Sequence, residues 1–182
     1  MKRIIIAAPA LAPAAIAELK DWLGISTASE DAGLAALLRS ALESCEAFTG
    51  TLPIESNCEE LLPVASGWQR IEARPVHAIT ALDGIDAAGG RVTLSTSAYA
   101  IDLTADGTGL VRVLDPGLAS RIAVRFAAGL ATSWTGLPDG LRHGVIRLAA
   151  HQYRQRESGG MDAAPPAAVA ALWRPWRQLR LT

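Results

Sequence analysis

The sequence predicts an α+β fold, in which a mainly α-helical core carries a small antiparallel β insertion in its middle. Two observations predict this arrangement. Apolar residues recur at helical spacing near both ends of the chain, over about residues 13–49 and 137–173. Between these stretches, short apolar or alternating runs are separated by turn-forming pairs such as Gly89-Gly90 and Asp106-Gly107, which is typical of antiparallel strands.

The length of 182 residues suits one domain, or one domain with an insertion. We expect a single domain over 1–182, with N-terminal helices in 1–57, the β insertion in 58–136, central and C-terminal helices in 137–172 and a tail in 173–182. No apolar run reaches the ~18 residues of a membrane span, so we expect no membrane partner. The start resembles a signal peptide only faintly, because Pro9 and Pro13 break its apolar run, and the cytoplasm is the expected compartment.

Two helices are predicted before residue 51. Pro13 opens the first helix and Gly24 ends it. The sequence Thr-Ala-Ser-Glu at 27–30 predicts a capping box at the start of the second helix, and Gly50 ends that helix. Its apolar stripe supplies part of the predicted core, namely Leu34, Leu37, Leu38 and Leu42.

Short strands are predicted through the middle of the chain. After a short strand or extended segment at 4–6, they are expected at about 58–64, 68–72, 78–82, 91–94, 99–103, 110–113 and 121–126. We interpret Asp83-Gly84 as a turn, so the segment 83–91 is expected to be a surface loop that can be deleted without loss of folding.

The stretch 137–160 predicts a long helix that packs on two sides. Pro138 and Asp139 suit its start, and Gly159 and Gly160 suit its end. Its predicted core positions are Leu141, Val145, Leu148 and Tyr153. The opposite face carries a basic stripe, formed by His143, Arg147, His151 and Arg154. This stripe is either a solvated face or a surface that meets acidic groups on another chain.

Charge is unevenly distributed along a chain whose net charge is only −1. Residues 1–66 carry four basic and nine acidic side chains, whereas residues 137–182 carry seven basic and three acidic ones. The net charge argues against a free nucleic-acid binder. The asymmetry suits head-to-tail contacts between copies, or two helices paired within one copy.

No residue pattern predicts catalysis. The sequence lacks a GxSxG motif and a phosphate-binding loop, and its glycine-rich turns do not fit a dinucleotide fingerprint. His143 and His151 are eight residues apart with Arg147 between them, which does not suit a metal site. Cys45 and Cys58 belong to no CxxC pair, and His77 is expected to be structural. We therefore expect no catalytic residue, no metal and no cofactor.

The last ten residues form a tail with two tryptophans, three arginines and no acid. Trp173 and Trp176 could fold back onto the central helix. Alternatively, the tail could anchor the chain to a partner, because Trp and Arg are enriched at interface hot spots. The anchor residues are then Trp173, Arg174, Pro175, Trp176, Arg177, Leu179, Arg180 and Leu181.

Taken together, the segments resemble the head–tail connector, or adaptor, family of tailed bacteriophages and phage-derived gene transfer agents. The likeness begins with AAPALAP and AELKDWLGI and continues through SEDAGLAALLRSALESCEAFTG, GWQRIEARPVHAITALDGI and SAYAIDL. It ends with LPDGLRHGVIRLAAHQYRQRES and PPAAVAALWRPWRQLRL. The order and spacing of these segments carry the resemblance, because none of them is a sharp motif.

The resemblance implies a structural protein at the head–tail junction, or neck, of a phage-like particle assembled in the bacterial cytoplasm. Copies of the chain would form a ring, usually twelve-fold, below the portal protein. The ring would extend the DNA channel and support the next neck protein, a stopper or tail-completion protein. DNA would pass through without specific binding. In such a ring, His143, Arg147, His151 and Arg154 would meet the acidic N-terminal surface of a neighbour, and the tail would bind the portal.

Two other functions stay open at this point. The chain could be an enzyme or a small-ligand binder that uses the β region. It could also be a DNA-packaging accessory protein that grips DNA through Arg147, Arg154, Arg174 and Arg177, which would make duplex binding steeply dependent on salt.

Overall fold

A computed structural model describes residues 3–7, 11–156 and 164–177. The chain divides into two compact units. We call the first the β unit, which comprises residues 1–9 and 55–130, and the second the helical unit, which comprises residues 10–54 and 131–182.

The helical unit contains α1 (Pro13–Leu23), α2 (Asp31–Thr49), α3 (Asp139–Gln155) and α4 (Ala167–Trp173), and a 3-10 turn (Arg174–Trp176) follows α4. Pro13 occupies the first helical position of α1, where its missing N–H costs nothing. Gly24 and Gly50 follow α1 and α2 with φ of 72° and 73°, a left-handed conformation that favours glycine. None of the helices in the described part of the chain is long and apolar enough to cross a membrane.

Helix α3 contacts each of the other three helices. The structure buries most of the residues expected in this core: Leu34, Leu38, Leu141, Val145 and Leu148. It leaves three of them half-buried: Leu37, Leu42 and Tyr153. The apolar side of α3 therefore holds the unit together.

The prediction of a capping box at residues 27–30 is wrong. Helix α2 begins at Asp31, and its N-cap, Glu30, makes no side-chain cap hydrogen bond. Thr27 and Ser29 instead share a hydrogen bond at 3.2 Å between their hydroxyl oxygens. Glu30 is the N-cap itself, whereas a capping box needs its glutamate at the third position of the helix. Its carboxylate instead accepts hydrogen bonds from Tyr153 and Arg156 of the α3 segment.

The described residues of the β unit form two antiparallel sheets. Their strands are β1 (Arg3–Ala7), β2 (Ser56–Pro63), β3 (Gln69–Arg70), β4 (Val76–Ile85), β5 (Arg91–Thr93), β6 (Tyr99–Leu103), β7 (Gly109–Val113) and β8 (Arg121–Ala128). The larger sheet has the order β1-β2-β8-β4-β5, and the smaller one has the order β3-β7-β6. The N-terminal strand is thus part of the larger sheet, beside β2.

Alternation along β2 and β8 explains the core of the β unit. Cys58 is paired with Phe126, and Leu62 is paired with Ile122, and all four side chains are buried. Glu60 points toward the same side and is also buried, with its carboxylate accepting the Glu72 N–H at 3.0 Å. Burial raises the pKa of Glu60, because the charged carboxylate loses water that the backbone hydrogen bonds from Glu72 and Ala73 only partly replace.

The expectation of a mainly helical core with a small β insertion is wrong. Helices account for 38% and strands for 29% of the structure, so the fold is mixed. The β component is larger than expected because the N-terminal segment joins it and because β4 and β8 extend beyond the predicted strands.

The prediction of a turn at Asp83-Gly84 is also wrong. Both residues lie within β4, where Asp83 is paired with Thr93 and Gly84 with Val92. Asp83 is buried and accepts hydrogen bonds from Thr93 at 2.7 Å and from Arg125 at 2.9 Å. The chain turns at residues 86–90 instead, where Asp86 accepts the N–H groups of Ala88 and Gly90. Deleting 83–91 would therefore remove paired strand residues as well as a surface turn.

Candidate interaction surfaces

The basic stripe predicted on α3 lies on the polar side of that helix. His143 and Arg154 are exposed, whereas Arg147 and His151 are half-buried. The His143 ring contacts the exposed Trp22 ring of α1 edge-on, with the ring centroids 5.2 Å apart. The stripe therefore includes an aromatic pair that the charge pattern did not predict.

Two other arginines of the α3 segment are neutralised within the helical unit. Arg142 forms ion pairs with Asp139 at 2.9 Å and with Glu18 of α1 at 3.6 Å. Arg156 forms an ion pair with Glu30 at 2.9 Å. Arg147 and Arg154 have no carboxylate within 4.0 Å among residues 3–7, 11–156 and 164–177. Within that part of the chain, the two arginines of the stripe therefore keep an uncompensated positive charge.

Glu30 joins the start of α2 to the end of α3. Its Oε2 atom accepts the Tyr153 hydroxyl at 2.7 Å and the Arg156 guanidinium at 2.9 Å. The hydrogen bond from Tyr153, followed by that from Arg156, lowers the pKa of Glu30. The Arg156 guanidinium also lies over the Tyr153 ring, 4.0 Å from its centroid. Sequence spacing gave no sign of this cluster, because 123 residues separate Glu30 from Tyr153.

Trp173, the first residue of the expected anchor, is buried against α3. Its indole N–H donates to the Leu141 carbonyl oxygen at 3.3 Å, and its ring contacts Gly144. Its ring centroid lies 6.0 Å from that of Phe48 in α2. This arrangement matches the first of the two alternatives for this tryptophan, in which it folds back onto the central helix.

The residues after Trp173 are more accessible. Arg174, Pro175 and Arg177 are exposed, and Trp176 is half-buried. The Arg177 guanidinium lies 5.4 Å from the centroid of the Phe48 ring. The remaining expected anchor residues, Leu179, Arg180 and Leu181, lie outside the described residues. The four arginines considered for DNA binding thus include three exposed side chains, those of Arg154, Arg174 and Arg177.

A depression on the β unit and His77 are the features that bear on a small-ligand site in this region. A shallow depression on it is lined by Leu61, Leu62, Pro63 and Arg121, which include no acid or histidine. His77 Nε2 lies 2.5 Å from the Gly129 carbonyl oxygen, so that nitrogen donates a hydrogen bond to the backbone. Among the described residues, no three His, Cys, Asp or Glu side chains are arranged to hold a metal ion.

Comparison with known proteins gives matches among solved structures. No protein-family model matches the chain, and no curated protein sequence matches it. The chain is similar to one in the neck of an empty gene transfer agent (GTA) particle computed with C6 symmetry, with 28% identity and a TM-score of 0.78. That match covers 100% of this chain and 98% of the other.

Two further structures give similar values. One is the virion of a native gene transfer agent particle, with 28% identity, a TM-score of 0.74 and coverage of 100% of this chain and 98% of the other. The second is the neck of a native GTA particle computed with C12 symmetry, with 28% identity and a TM-score of 0.74. That match covers 98% of this chain and 97% of the other. These matches over the whole chain support a structural neck or connector protein.

Proposed function

We propose that this chain is a structural component of the neck of a phage-like particle, where it joins the head to the tail. The observation that carries the proposal is the similarity to a GTA neck chain over the full length of both chains at 28% identity. A shared domain alone would leave part of one chain unmatched.

The copies form a ring below the portal, and the two units of each copy act together as one adaptor domain. Necks computed with C6 and C12 symmetry support a ring of repeated copies, and we propose twelve. The ring extends the DNA channel and supports the next neck protein, and DNA passes through it without sequence-specific contacts. A ring requires two different surfaces on each copy, because each copy contacts one neighbour on either side.

The basic stripe of α3 supplies one of these surfaces. Arg147 and Arg154 carry charge that no described carboxylate neutralises, and His143 and His151 lie on the same face. Acidic residues on the N-terminal segment of a neighbouring copy, such as the exposed Glu43 of α2, are the complementary groups. Exposed ion pairs contribute only about 0–1 kcal/mol each, so these charges set the orientation of neighbours and apolar contacts provide most of the affinity.

The exposed end of the tail binds the portal. Trp173 attaches α4 to α3, and a 3-10 turn over Arg174–Trp176 follows it. Arg174, Pro175 and Arg177 are exposed there, and Trp176 is half-buried. Pro175 lowers the entropy lost when such a segment becomes ordered on a partner. The anchor is thus a segment whose first tryptophan belongs to the helical core rather than to the portal contact.

The proposal is tested by removing the chain from cells that produce the particle. We expect DNA-filled heads that carry a portal but no tail, and joining should be restored when the wild-type chain is supplied. Complete particles in the absence of the chain would contradict the proposal.

A second experiment separates this function from DNA packaging. The affinity of the purified chain for duplex DNA is measured over a range of salt concentrations. Affinity that falls steeply as salt is added would favour DNA packaging.

A further inference from the structure

The outer edge of the larger sheet carries three consecutive isoleucines. Ile4, Ile5 and Ile6 of β1 are 60%, 39% and 56% exposed. Strand β1 pairs with β2 on one side, and its other side has no strand in the part of the chain that the structure describes. Natural proteins usually protect such an edge with charged residues, proline or a bulge, because its free N–H and C=O groups bind other strands. Here a bulge follows Ile5, but no charge separates the isoleucines.

The smaller sheet has a similar edge at β6. This strand pairs with β7 on one side and has no strand on its other side within the described residues. Ile101 and Leu103 are 44% and 42% exposed. Strands β1 and β6 both contain five residues, whereas the other two edges, β5 and β3, contain three and two. Strand β6 is therefore the edge whose length matches β1.

The side chains of the two edges are complementary in one antiparallel register. When Ile4 lies opposite Ile101, Ile5 lies opposite Ala100. Arg3, which already interacts with the Glu60 carboxylate of its own sheet, lies opposite Asp102. A parallel arrangement with the same central pair would place Ile5 opposite Asp102, which would bury an apolar group against a carboxylate. Opposite-charge and apolar cross-strand pairs stabilise a sheet, so the antiparallel register is preferred.

We propose that β1 of one copy adds to β6 of a second copy, so that neighbouring copies share an intermolecular antiparallel sheet. This inference rests on the proposed ring. The two edges are different surfaces of the same unit, so the contact is heterologous and repeats from copy to copy, as a ring requires. Main-chain hydrogen bonds supply affinity, and the pairing of Ile4 with Ile101 sets the register. The isoleucine edge thus supplies the apolar contact that the exposed charges of α3 cannot.

Cysteine cross-linking tests the pairing directly. We compare the double variant Ile4→Cys/Ile101→Cys with each single variant, treating the assembled oligomer with a short bis-maleimide reagent. Cys45 and Cys58 are buried and are present in every variant, so the single variants control for them. The double variant Ile4→Cys/Val92→Cys is the matched control, because it offers the β5 edge of the larger sheet instead.

The proposal predicts a ladder of covalent multimers for Ile4→Cys/Ile101→Cys alone. A mixture of the two single variants should stop at the dimer, because each chain then carries one reactive thiol. A ladder from Ile4→Cys/Val92→Cys, dimers from Ile4→Cys alone, or oligomers without any cross-link would overturn the β1–β6 pairing and leave the ring intact. A chain that is monomeric at all concentrations and absent from particles would overturn the ring as well.

Discussion

Trp173 of α4 lies directly against Gly144 of α3. A β-carbon on Gly144 would lie 2.8 Å from Cδ1 and 2.9 Å from Cε2 of the indole ring, closer than real side-chain contacts allow. The backbone of α3 therefore contacts the ring itself, and the indole N–H reaches the Leu141 carbonyl oxygen. The absence of a side chain at residue 144 determines where α4 is attached.

Replacing Gly144 with alanine should displace Trp173 and destabilise the helical unit. Overpacked core positions cost typically 1–3 kcal/mol, and this cost outweighs the roughly 1 kcal/mol by which alanine favours a helix over glycine. Urea unfolding followed by tryptophan fluorescence measures the change. Gly140→Ala is the matched control on the same helix, because its β-carbon would meet its nearest atom, the Leu172 carbonyl oxygen, at an ordinary 3.5 Å. Equal stability of the two variants would show that a β-carbon at residue 144 fits beside the Trp173 ring.

Two truncations separate the core part of the tail from its exposed part. A chain ending at Leu172 loses Trp173 and should lose about 3–5 kcal/mol of stability, as for other buried tryptophans. A chain ending at Trp173 should keep most of its stability, because the residues it loses up to Arg177 are exposed or half-buried. Thermal unfolding measures both. If the tail binds the portal, the chain ending at Trp173 should still fail to attach to portal-bearing heads, and normal attachment would contradict that assignment.

The Glu30 cluster should make stability depend on pH. Tyr153 and Arg156 lower the pKa of Glu30 in the folded chain below its ordinary value of 4.5. The ionised carboxylate is thus favoured by folding, and its contribution is complete above about pH 4.5 and is lost as the pH falls through the lower, folded-state pKa. The unfolding free energies of wild type and Glu30→Gln should differ at neutral pH and converge in acid. Asp21→Asn, at an exposed position of α1, is the control. Parallel curves for wild type and Glu30→Gln would contradict the prediction.

Reversing the charge of the α3 stripe should impair assembly without unfolding the monomer. The variant Arg147→Glu/Arg154→Glu breaks no ion pair with a described residue, so we expect its unfolding free energy to change by less than about 1 kcal/mol. Mass photometry and electron microscopy should show fewer rings. Arg39→Glu, on the exposed face of α2, makes the opposing surface more acidic and should assemble normally. Normal rings from the double variant would show that this stripe is not part of the interface between neighbouring copies.

Local signals in the sequence predicted most elements of the fold. Gly24 and Gly50 ended their helices as expected, because the left-handed residue after a helix favours glycine and is visible without tertiary information. The alternation over residues 121–126 likewise predicted the first six residues of β8. The extent of the β unit was underestimated because strand pairing between distant segments, such as β1 with β2, leaves no local pattern.

The errors share one physical cause: contacts with residues distant in the sequence determine the conformation where the local pattern predicts another. Glu30 had the spacing of a capping box, but its carboxylate is bound by Tyr153 and Arg156. Asp83-Gly84 had the composition of a turn, but an ion pair with Arg125 holds Asp83 inside a strand. The basic stripe was visible from helical periodicity alone, whereas the contact between Trp173 and Gly144 depends on α4 returning to α3.

The central claim is the location of this chain in the particle, and cryo-electron microscopy of purified particles tests it most directly. The proposal predicts density for twelve copies of the chain arranged as a ring in the neck, with the tail of each copy directed toward the portal. A neck whose density excludes this fold, in particles that are otherwise complete and joined to tails, would contradict the account.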